Sequence, residues 1–201
     1  MPQALKLREL TTGLASASRP GKVIWITGLS GSGKTTIARM LKSALEARGH
    51  FVVLLDGDEL RAFMPLGDRF DGDSRLKLAL AYGGLCRLMA VQGAIVICAT
   101  ISMREEVYAW NRANIENYLE VFLDVSSELR AARDPKKYYA RIAGGELGDF
   151  SGCDQAVDIP SAPDLHLKPS CEEGPAATAS KILECLDATS NSGGCLTQRD
   201  A

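Results

Sequence analysis

Short runs of apolar residues alternate along the chain with longer segments in which apolar residues recur at helical spacing. Two of the longer segments, GKTTIARMLKSALEARG and SRLKLALAYGGLCRLMAVQG, predict helices, and PAATASKILECLDA predicts a last one. The short runs are nearly continuously apolar and predict strands: KVIWIT, FVVLLD, AIVICATIS, LEVFLDV and DLHL. Such strands, separated by helices, are typical of a parallel sheet that is covered on both faces. We therefore expect an α/β fold with a doubly wound parallel sheet of about five strands.

Two stretches interrupt this alternation, residues 60–73 and residues 133–163, and both are rich in charged residues, aromatic residues and glycine. Long irregular segments inside a compact domain are usually functional or disordered. The sequence before the first strand is mixed and polar, and the sequence after the last helix is rich in glycine and serine. We predict a flexible leader at residues 1–20, one domain at 21–188 and a disordered tail at 189–201.

Composition narrows the range of partners. The chain has 201 residues, of which 46% are hydrophobic, and a net charge of −2, as expected for one globular domain. No stretch concentrates lysine and arginine, which argues against nucleic acid, and no run approaches the roughly eighteen apolar residues of a membrane helix. Six cysteines without a C-x-x-C pair do not form a zinc-binding pattern. Because no signal peptide is evident, we expect a cytoplasmic protein with reduced thiols and a small-molecule partner.

The segment WITGLSGSGKTT, residues 25–36, joins the first predicted strand to the first predicted helix. It fits the pattern G-x-x-x-x-G-K-[ST], although a purely structural glycine-rich turn is the alternative. Glycine lets backbone N–H groups approach a polyphosphate, and the following helix adds the positive end of its dipole. The motif predicts a P-loop NTPase that binds ATP and Mg²⁺, in which Lys34 reaches the β- and γ-phosphates and the Thr35 hydroxyl binds the metal. The predicted ATP-binding residues of the loop are Gly28, Leu29, Ser30, Gly31, Ser32, Gly33, Lys34, Thr35 and Thr36.

Two carboxylates follow the second predicted strand, in the segment LLDGDELR. Ligands of open α/β sheets bind beyond the carboxyl ends of the strands. In an extended chain Asp56 and Asp58 would point the same way, so that one could help organise Mg²⁺ while the other accepts a proton from an attacking hydroxyl. The alternative is an exposed turn with ordinary acidic residues. Together with the P-loop, the pair favours a phosphoryl-transfer site.

These motifs resemble those of the adenylylsulfate kinases, which phosphorylate the 3′-hydroxyl of adenosine 5′-phosphosulfate. The resemblance covers residues 20–167 and includes RFDGDSR, TIS, ARDPK, AGGEL and DFSG. It implies an ATP- and Mg²⁺-dependent enzyme of sulfate activation that acts on a small nucleotide, with a homodimer left open. It further implies that Asp58 is the base and that Asp56 supports the metal or the substrate. Arg61 and Arg75 would hold the phosphosulfate end of the substrate.

The resemblance also gives roles to residues of the two irregular stretches. Phe70 and Phe150 would sandwich the adenine of the substrate, although either could instead anchor its loop to the core. Arg133 and Lys136 would belong to a lid that closes over ATP, or else to a solvated charged face.

Departures from the family pattern lie on the acceptor side. Ile101 and Ser102 match its I-S-P motif, which implies substrate contacts and a catalytic role for Ser102. A phosphoserine role has been proposed for the serine of this motif, and a hydrogen bond near the phosphates is the simpler interpretation. A methionine follows them in place of the proline. Leu78 and Leu80 replace an asparagine and an arginine of the family. Because Arg75 and Leu78 share a helix face, a polar contact with the substrate could have become apolar.

These departures leave alternatives open. The segment CATISMREEVYAWNRANIENY resembles kinase-related proteins of surface-polysaccharide gene sets, so the alternative acceptor is another nucleotide conjugate, such as a cytidine diphospho-conjugate. A degenerate kinase that only binds nucleotide is a third interpretation. A GTPase switch would carry N-K-x-D, which does not occur. The sequence therefore predicts a kinase, with adenylylsulfate as the first candidate acceptor.

Overall fold

The computed structural model describes residues 21–65, 71–133, 157–170 and 172–192. The strands of these regions are β1 (Lys22–Thr27), β2 (Val52–Asp56), β3 (Ile95–Ala99), β4 (Tyr118–Leu123) and β5 (Leu165–Leu167). The helices are α1 (Lys34–Ala47), α2 (Gly57–Phe63), α3 (Gly72–Ala90), α4 (Glu105–Asn114), α5 (Ser127–Ala132) and α6 (Gly174–Ser192). No helix among them is long and apolar enough to cross a membrane. The five predicted strands and the three predicted helices are all present.

The strands form one parallel sheet in the order β2-β3-β1-β4-β5. The chain runs from β1 to β2 and β3 on one side, and only then crosses to β4 and β5 on the other. A crevice opens beside the carboxyl end of a strand at which the chain reverses direction in this way. The topology therefore places the P-loop, which follows β1, at the position where α/β proteins bind ligands.

Side chains of β1 alternate between two cores, one on each face of the sheet. Ile24 belongs to a cluster with Leu41 of α1 and Ile182 of α6, and all three are fully buried. Trp25 belongs to the opposite cluster, with Tyr82 of α3. Because helices cover both faces, the strands are apolar throughout, and the doubly wound prediction is confirmed.

Three helices were not predicted from the sequence. Two of them are short and begin at side-chain caps: Asp56 accepts a hydrogen bond from the Asp58 N–H at 2.9 Å, and Ser126 accepts one from the Leu129 N–H at 3.4 Å. The first of these helices, α2, occupies the start of the stretch that was predicted to be irregular. Capping residues were visible in the sequence, but helices of one or two turns carry too few apolar positions to show a period.

The last helix continues to Ser192, so residues 189–192 are helical rather than part of the predicted disordered tail. Thr189 explains part of this extension, because its hydroxyl accepts a hydrogen bond from Lys22 Nζ at 2.9 Å and donates one to Leu186 O at 3.0 Å. The predicted leader and the rest of the predicted tail lie outside the described residues.

The packing of α3 against α4 leaves no room for a side chain at Gly83. A Cβ there would lie 2.4 Å from Asn111 Oδ1 and 3.0 Å from Cζ3 of Trp110, and Asn111 is fully buried. We expect Gly83→Ala to lower the free energy of unfolding by about 1–3 kcal/mol, the usual cost of overpacking, in urea titrations. Gly84→Ala is the matched control, because a Cβ there meets nothing within 4 Å. Gly84→Ala should raise the free energy of unfolding by up to about 1 kcal/mol, because alanine favours the helix more than glycine does. Equal effects of the two variants would contradict the packing argument.

Candidate active site

The loop between β1 and α1 packs closely against the end of β4 and against α5. Gly31 has a φ of 78°, and a Cβ there would lie 2.8 Å from the backbone oxygen of Arg130 in α5. A Cβ at Gly28 would lie 2.7 Å from the backbone oxygen of Leu123, the last residue of β4. Glycine is therefore required here by protein packing, in addition to any phosphate that the loop holds.

Lys34, the first residue of α1, folds back over the loop. Its Nζ donates hydrogen bonds to Gly28 O at 2.7 Å and to Leu29 O at 2.9 Å, and it lies 3.4 Å from Ser32 Oγ. The ammonium group is thus held by two backbone carbonyl oxygens of the P-loop. Phosphate oxygens, which carry full negative charge, would be stronger acceptors for the same donors.

The charge of Lys34 is also set by its surroundings. Removal from water lowers the pKa of Lys34 to about 8, while the carboxylates of Asp58 and Asp56 act to raise it. The Arg130 guanidinium on α5 adds to the lowering. The charges of Asp56, Asp58 and Arg130 therefore all act on Lys34 at the P-loop. A bound polyphosphate would add negative charge and so favour the protonated form of Lys34.

Thr35 and Asp56 form a direct contact between α1 and the end of β2. The Thr35 hydroxyl donates a hydrogen bond to Asp56 Oδ2 at 2.6 Å, and Asp56 is only 8% exposed. A hydroxyl and a carboxylate oxygen are hard donors of the kind that Mg²⁺ takes when it is shared with phosphates. The two residues predicted to bind the metal are therefore adjacent, and their chemistry fits Mg²⁺.

The extended geometry predicted for the two carboxylates is wrong, because α2 begins at Gly57. Asp56 ends β2, whereas Asp58 lies in the first turn of α2. Asp56 Oδ1 accepts a hydrogen bond from the Asp58 N–H, so the first carboxylate caps the helix that carries the second. The two residues therefore occupy different elements, and the role of Asp58 as a base remains a prediction.

The segment after β3 is held in an unusual backbone conformation. Ser102 has a φ of 23°, where a residue other than glycine costs of order 1–3 kcal/mol. The Thr27 hydroxyl donates to Ile101 O at 2.5 Å, and the hydroxyl oxygens of Thr100 and Ser102 are 2.8 Å apart. The structure thus brings the predicted residues Ile101 and Ser102 to the carboxyl edge of the sheet, next to β1.

The two arginines predicted to bind the acceptor lie on neighbouring helices. Arg61 is in the last turn of α2 and Arg75 is near the start of α3, and both are half-buried. Burial raises the pKa of Tyr82 to about 12, and the nearby charge of Arg61 opposes this shift. Leu78 is 4% exposed and packs in the same apolar cluster as Tyr82. Leu78 is therefore a core residue, and the change from a polar to an apolar substrate contact at this position stays a prediction.

Only part of the remaining predicted site can be placed. Arg133 follows the last turn of α5, where its N–H donates to Leu129 O at 3.2 Å. Lys136, Phe70 and Phe150 lie outside the described residues. Their roles therefore stay predictions.

A cavity of about 670 Å³ lies between α5 and the segment after β5. One of its walls is α5, the helix whose backbone packs on Gly31 of the P-loop through Arg130. No motif in the sequence marks its lining. The signal that could have pointed to these residues is their position just after β4 and β5, at the edge of the sheet where ligands bind. The lining residues are Asp124, Ser126, Glu128, Leu129, Ala132, Lys168, Pro169 and Ser170.

A sequence model of the adenylylsulphate kinase family matches residues 20–168. The chain belongs to this family. It is therefore a phosphotransferase that acts on a hydroxyl group, from a family that uses ATP, and its sheet is that of a P-loop NTPase.

Individual relatives agree on the family but differ in the acceptor. The chain is 36% identical to an adenylyl-sulfate kinase of Burkholderia ambifaria, over 82% of this chain and 91% of that protein. It is 37% identical to a cytidine diphosphoramidate kinase of Campylobacter jejuni, over 82% of this chain and 95% of that protein. A Mycobacterium tuberculosis APS kinase, solved in complex with AMPPNP and APS, superimposes with a TM-score of 0.76 at 32% identity, over 84% of this chain and 98% of that one. The chain spans only 29% of the length of the bifunctional enzyme NodQ of Rhizobium sp. (strain BR816), to which it is 36% identical over 92% of this chain.

The lowered pKa of Lys34 predicts how ATP affinity depends on pH. Above pH 8 the Lys34 ammonium of the free protein loses its proton, whereas a bound polyphosphate keeps it protonated. The affinity for ATP should therefore fall as the pH rises. We expect ATP to bind about tenfold more weakly at pH 9 than at pH 7, with proton uptake on binding in calorimetry. Lys34→Arg keeps its charge over this range and should lose the trend. A flat profile in the wild type, or an unchanged trend in Lys34→Arg, would contradict the assignment.

Proposed function

We propose that this adenylylsulphate kinase family member transfers the γ-phosphoryl group of ATP to the 3′-hydroxyl of adenosine 5′-phosphosulfate. The observation that carries the proposal is the convergence of three groups at the carboxyl end of β1. They are the ammonium of Lys34 on the P-loop, the hydrogen-bonded pair of Thr35 and Asp56, and the carboxylate of Asp58 whose charge acts on that lysine. Phosphoryl transfer needs little more than such positioning and charge compensation.

The chain's own groups would divide the work as follows. Lys34 would move from the loop carbonyls to the β- and γ-phosphates, where backbone N–H groups of the loop also donate. Thr35 and Asp56 would hold Mg²⁺, which neutralises charge on the phosphates when it is bound. Asp58 would orient the acceptor hydroxyl and accept its proton.

The two substrates would approach from opposite sides of the P-loop. The cavity between α5 and the segment after β5 is bordered by the helix that packs on Gly31, and we propose that it takes the base and ribose of ATP. Arg61 and Arg75 lie on the other side, on α2 and α3. Guanidinium groups bind phosphate and sulfate oxygens in pairs of hydrogen bonds, so this side suits an acceptor with adjacent anionic groups.

A second acceptor class is favoured by a specific comparison. The relative from Campylobacter jejuni is a cytidine diphosphoramidate kinase, and it is as similar to this chain as the adenylyl-sulfate kinases are. A cytidine diphospho-conjugate also carries two adjacent anionic groups, so Arg61 and Arg75 would suit it equally. Recognition of the base would then separate the two acceptors, and we propose that Phe70 and Phe150 stack on adenine.

The proposed base can be tested by an isosteric change. Asp58→Asn keeps the size of the side chain but cannot accept the proton, so turnover should fall at least about a hundredfold while ATP affinity is preserved. Asp56→Asn should instead raise the Mg²⁺ concentration needed for activity. Steady-state kinetics across a Mg²⁺ series would measure both. The reverse pattern would mean that the two carboxylates exchange roles.

The acceptor can be identified by direct competition. We expect adenosine 5′-phosphosulfate to give a higher kcat/KM than cytidine diphospho-conjugates assayed at equal concentration. Phe150→Ala should lower that kcat/KM about tenfold or more, because base stacking on an aromatic ring is worth about 1–3 kcal/mol. A clear preference for a cytidine conjugate, or indifference to Phe150→Ala, would move the protein to the second acceptor class.

A further inference from the structure

We infer that Asp158 is a positioning residue that fixes the segment Thr100–Arg104 on the acceptor side of the site. Asp158 itself lies far along the chain, just before β5, in the segment 157–164. The inference rests on the proposed function only in expecting the acceptor to meet this segment; the structural part stands without it.

Almost every polar group of Asp158 is directed at one short span of the chain. Its N–H donates to Met103 O at 3.0 Å, and its backbone oxygen accepts from the Tyr108 hydroxyl at 3.0 Å. Its Oδ2 accepts from the Glu105 N–H at 3.0 Å and lies 3.6 Å from Arg104 Nε. One residue therefore contacts the end of the segment and the first turn of α4 at four points.

The carboxylate takes the place of a missing helix cap. Arg104 occupies the N-cap position of α4, but its side chain makes no capping hydrogen bond. Asp158 supplies the oxygen instead and places a negative charge at the positive end of the helix, where Glu105 and Glu106 of the first turn also lie. The start of α4 thus depends on a residue from another part of the fold.

This contact completes the restraint on Ser102. On its amino-terminal side, Ile101 is held by Thr27, and the Thr100 N–H donates to Ile26 O at 3.0 Å. On its carboxyl-terminal side, Met103 is held by Asp158 and is 3% exposed. A strained residue such as Ser102, with its φ of 23°, persists only when both sides are fixed. Loss of the Asp158 contacts would let the backbone relax at Ser102.

The restrained segment borders the acceptor side of the site. A Cβ at Gly57, the first residue of α2, would lie 2.9 Å from the Thr100 hydroxyl oxygen, so the segment packs on the helix that carries Arg61. Relaxation at Ser102 would therefore displace groups next to the acceptor. The contacts of Asp158 described above are with residues 103–108, not with the P-loop, so ATP binding should be spared.

The same segment offers a matched control. Asp164 accepts a hydrogen bond from the Glu120 N–H at 2.7 Å, and its Oδ2 lies 3.4 Å from Arg112 Nη2. It therefore combines a backbone amide and an arginine, as Asp158 does, but it contacts β4 and the opposite end of α4. Its removal should weaken the fold without reaching Ser102.

The experiment compares Asp158→Ala, Asp158→Asn and Asp164→Ala in the full chain. For Asp158→Ala we expect kcat/KM for the acceptor to fall about tenfold, with ATP affinity within twofold of wild type. Asp158→Asn can still accept from the Glu105 N–H and should recover most of the loss. Asp164→Ala should lower thermal stability by as much as Asp158→Ala does. It should not selectively lower kcat/KM for the acceptor.

Hydrogen–deuterium exchange tests the same inference without reference to the reaction. Peptides covering residues 100–108 should exchange faster in Asp158→Ala than in Asp164→Ala, while P-loop peptides should not differ. Equal exchange in the two variants, or an equal loss of ATP and acceptor binding, would overturn the positioning role. If the wild type phosphorylates neither acceptor class, the proposed function fails, and the exchange result alone decides the inference about Asp158.

Discussion

The pairing of β1 with β3 on one side and with β4 on the other is the constraint on which the site depends. Parallel pairing brings the carboxyl ends of these strands to one edge, so the segments that follow them must share a small space. The P-loop follows β1, Thr100 follows β3, and the backbone oxygen of Leu123 at the end of β4 leaves no room for a side chain at Gly28. The geometry of the loop is thus set by strand order as much as by its own glycines.

Electrostatic balance is the second determinant of the site. Lys34 is drawn out of water, which lowers its pKa to about 8, and nearby carboxylates offset part of that cost. The loop carbonyls give it partners in the protein alone, at 2.7 Å and 2.9 Å. Such a site is prepared for a polyanion, because a bound polyphosphate replaces neutral acceptors with charged ones. The same arrangement predicts that ligand binding depends on the protonation of the Lys34 side chain.

The groups proposed to bind ATP and those proposed to bind the acceptor lie in different parts of the molecule. We propose that the P-loop and the hydrogen-bonded pair of Thr35 and Asp56 carry the phosphotransferase chemistry of the family. The side proposed for the acceptor is built from α2, α3 and the segment after β3, where Leu78 is part of the core and Asp158 replaces a local helix cap. If the acceptor binds on this side as proposed, its choice depends on the packing there and not on the phosphate-binding loop.

Local pattern in the sequence was sufficient for the strands, the long helices, the P-loop and the family. Each depends on residues close together in the chain, such as the apolar run of β1 or the spacing of Gly28, Gly33 and Lys34, and the physical cause acts over a few residues. The sequence also predicted Thr35 and Asp56 as metal ligands; that role stays a prediction, and the structure places their side-chain oxygens 2.6 Å apart. The sequence further predicted Asp58 as the base, a role that stays a prediction, and its expected local geometry is wrong because helix α2 begins between the two carboxylates.

Tertiary structure alone decided the rest. The burial of Leu78, the cavity beside α5 and the restraint on Ser102 come from contacts between residues that are distant in sequence. Asp158 is the clearest case: more than fifty positions separate it from the backbone that it caps. No local period or motif marks such a residue, because its role follows from where the sheet brings its segment. The sequence by itself thus determined the chemistry that this protein carries, whereas the fold decided which side chains surround that chemistry.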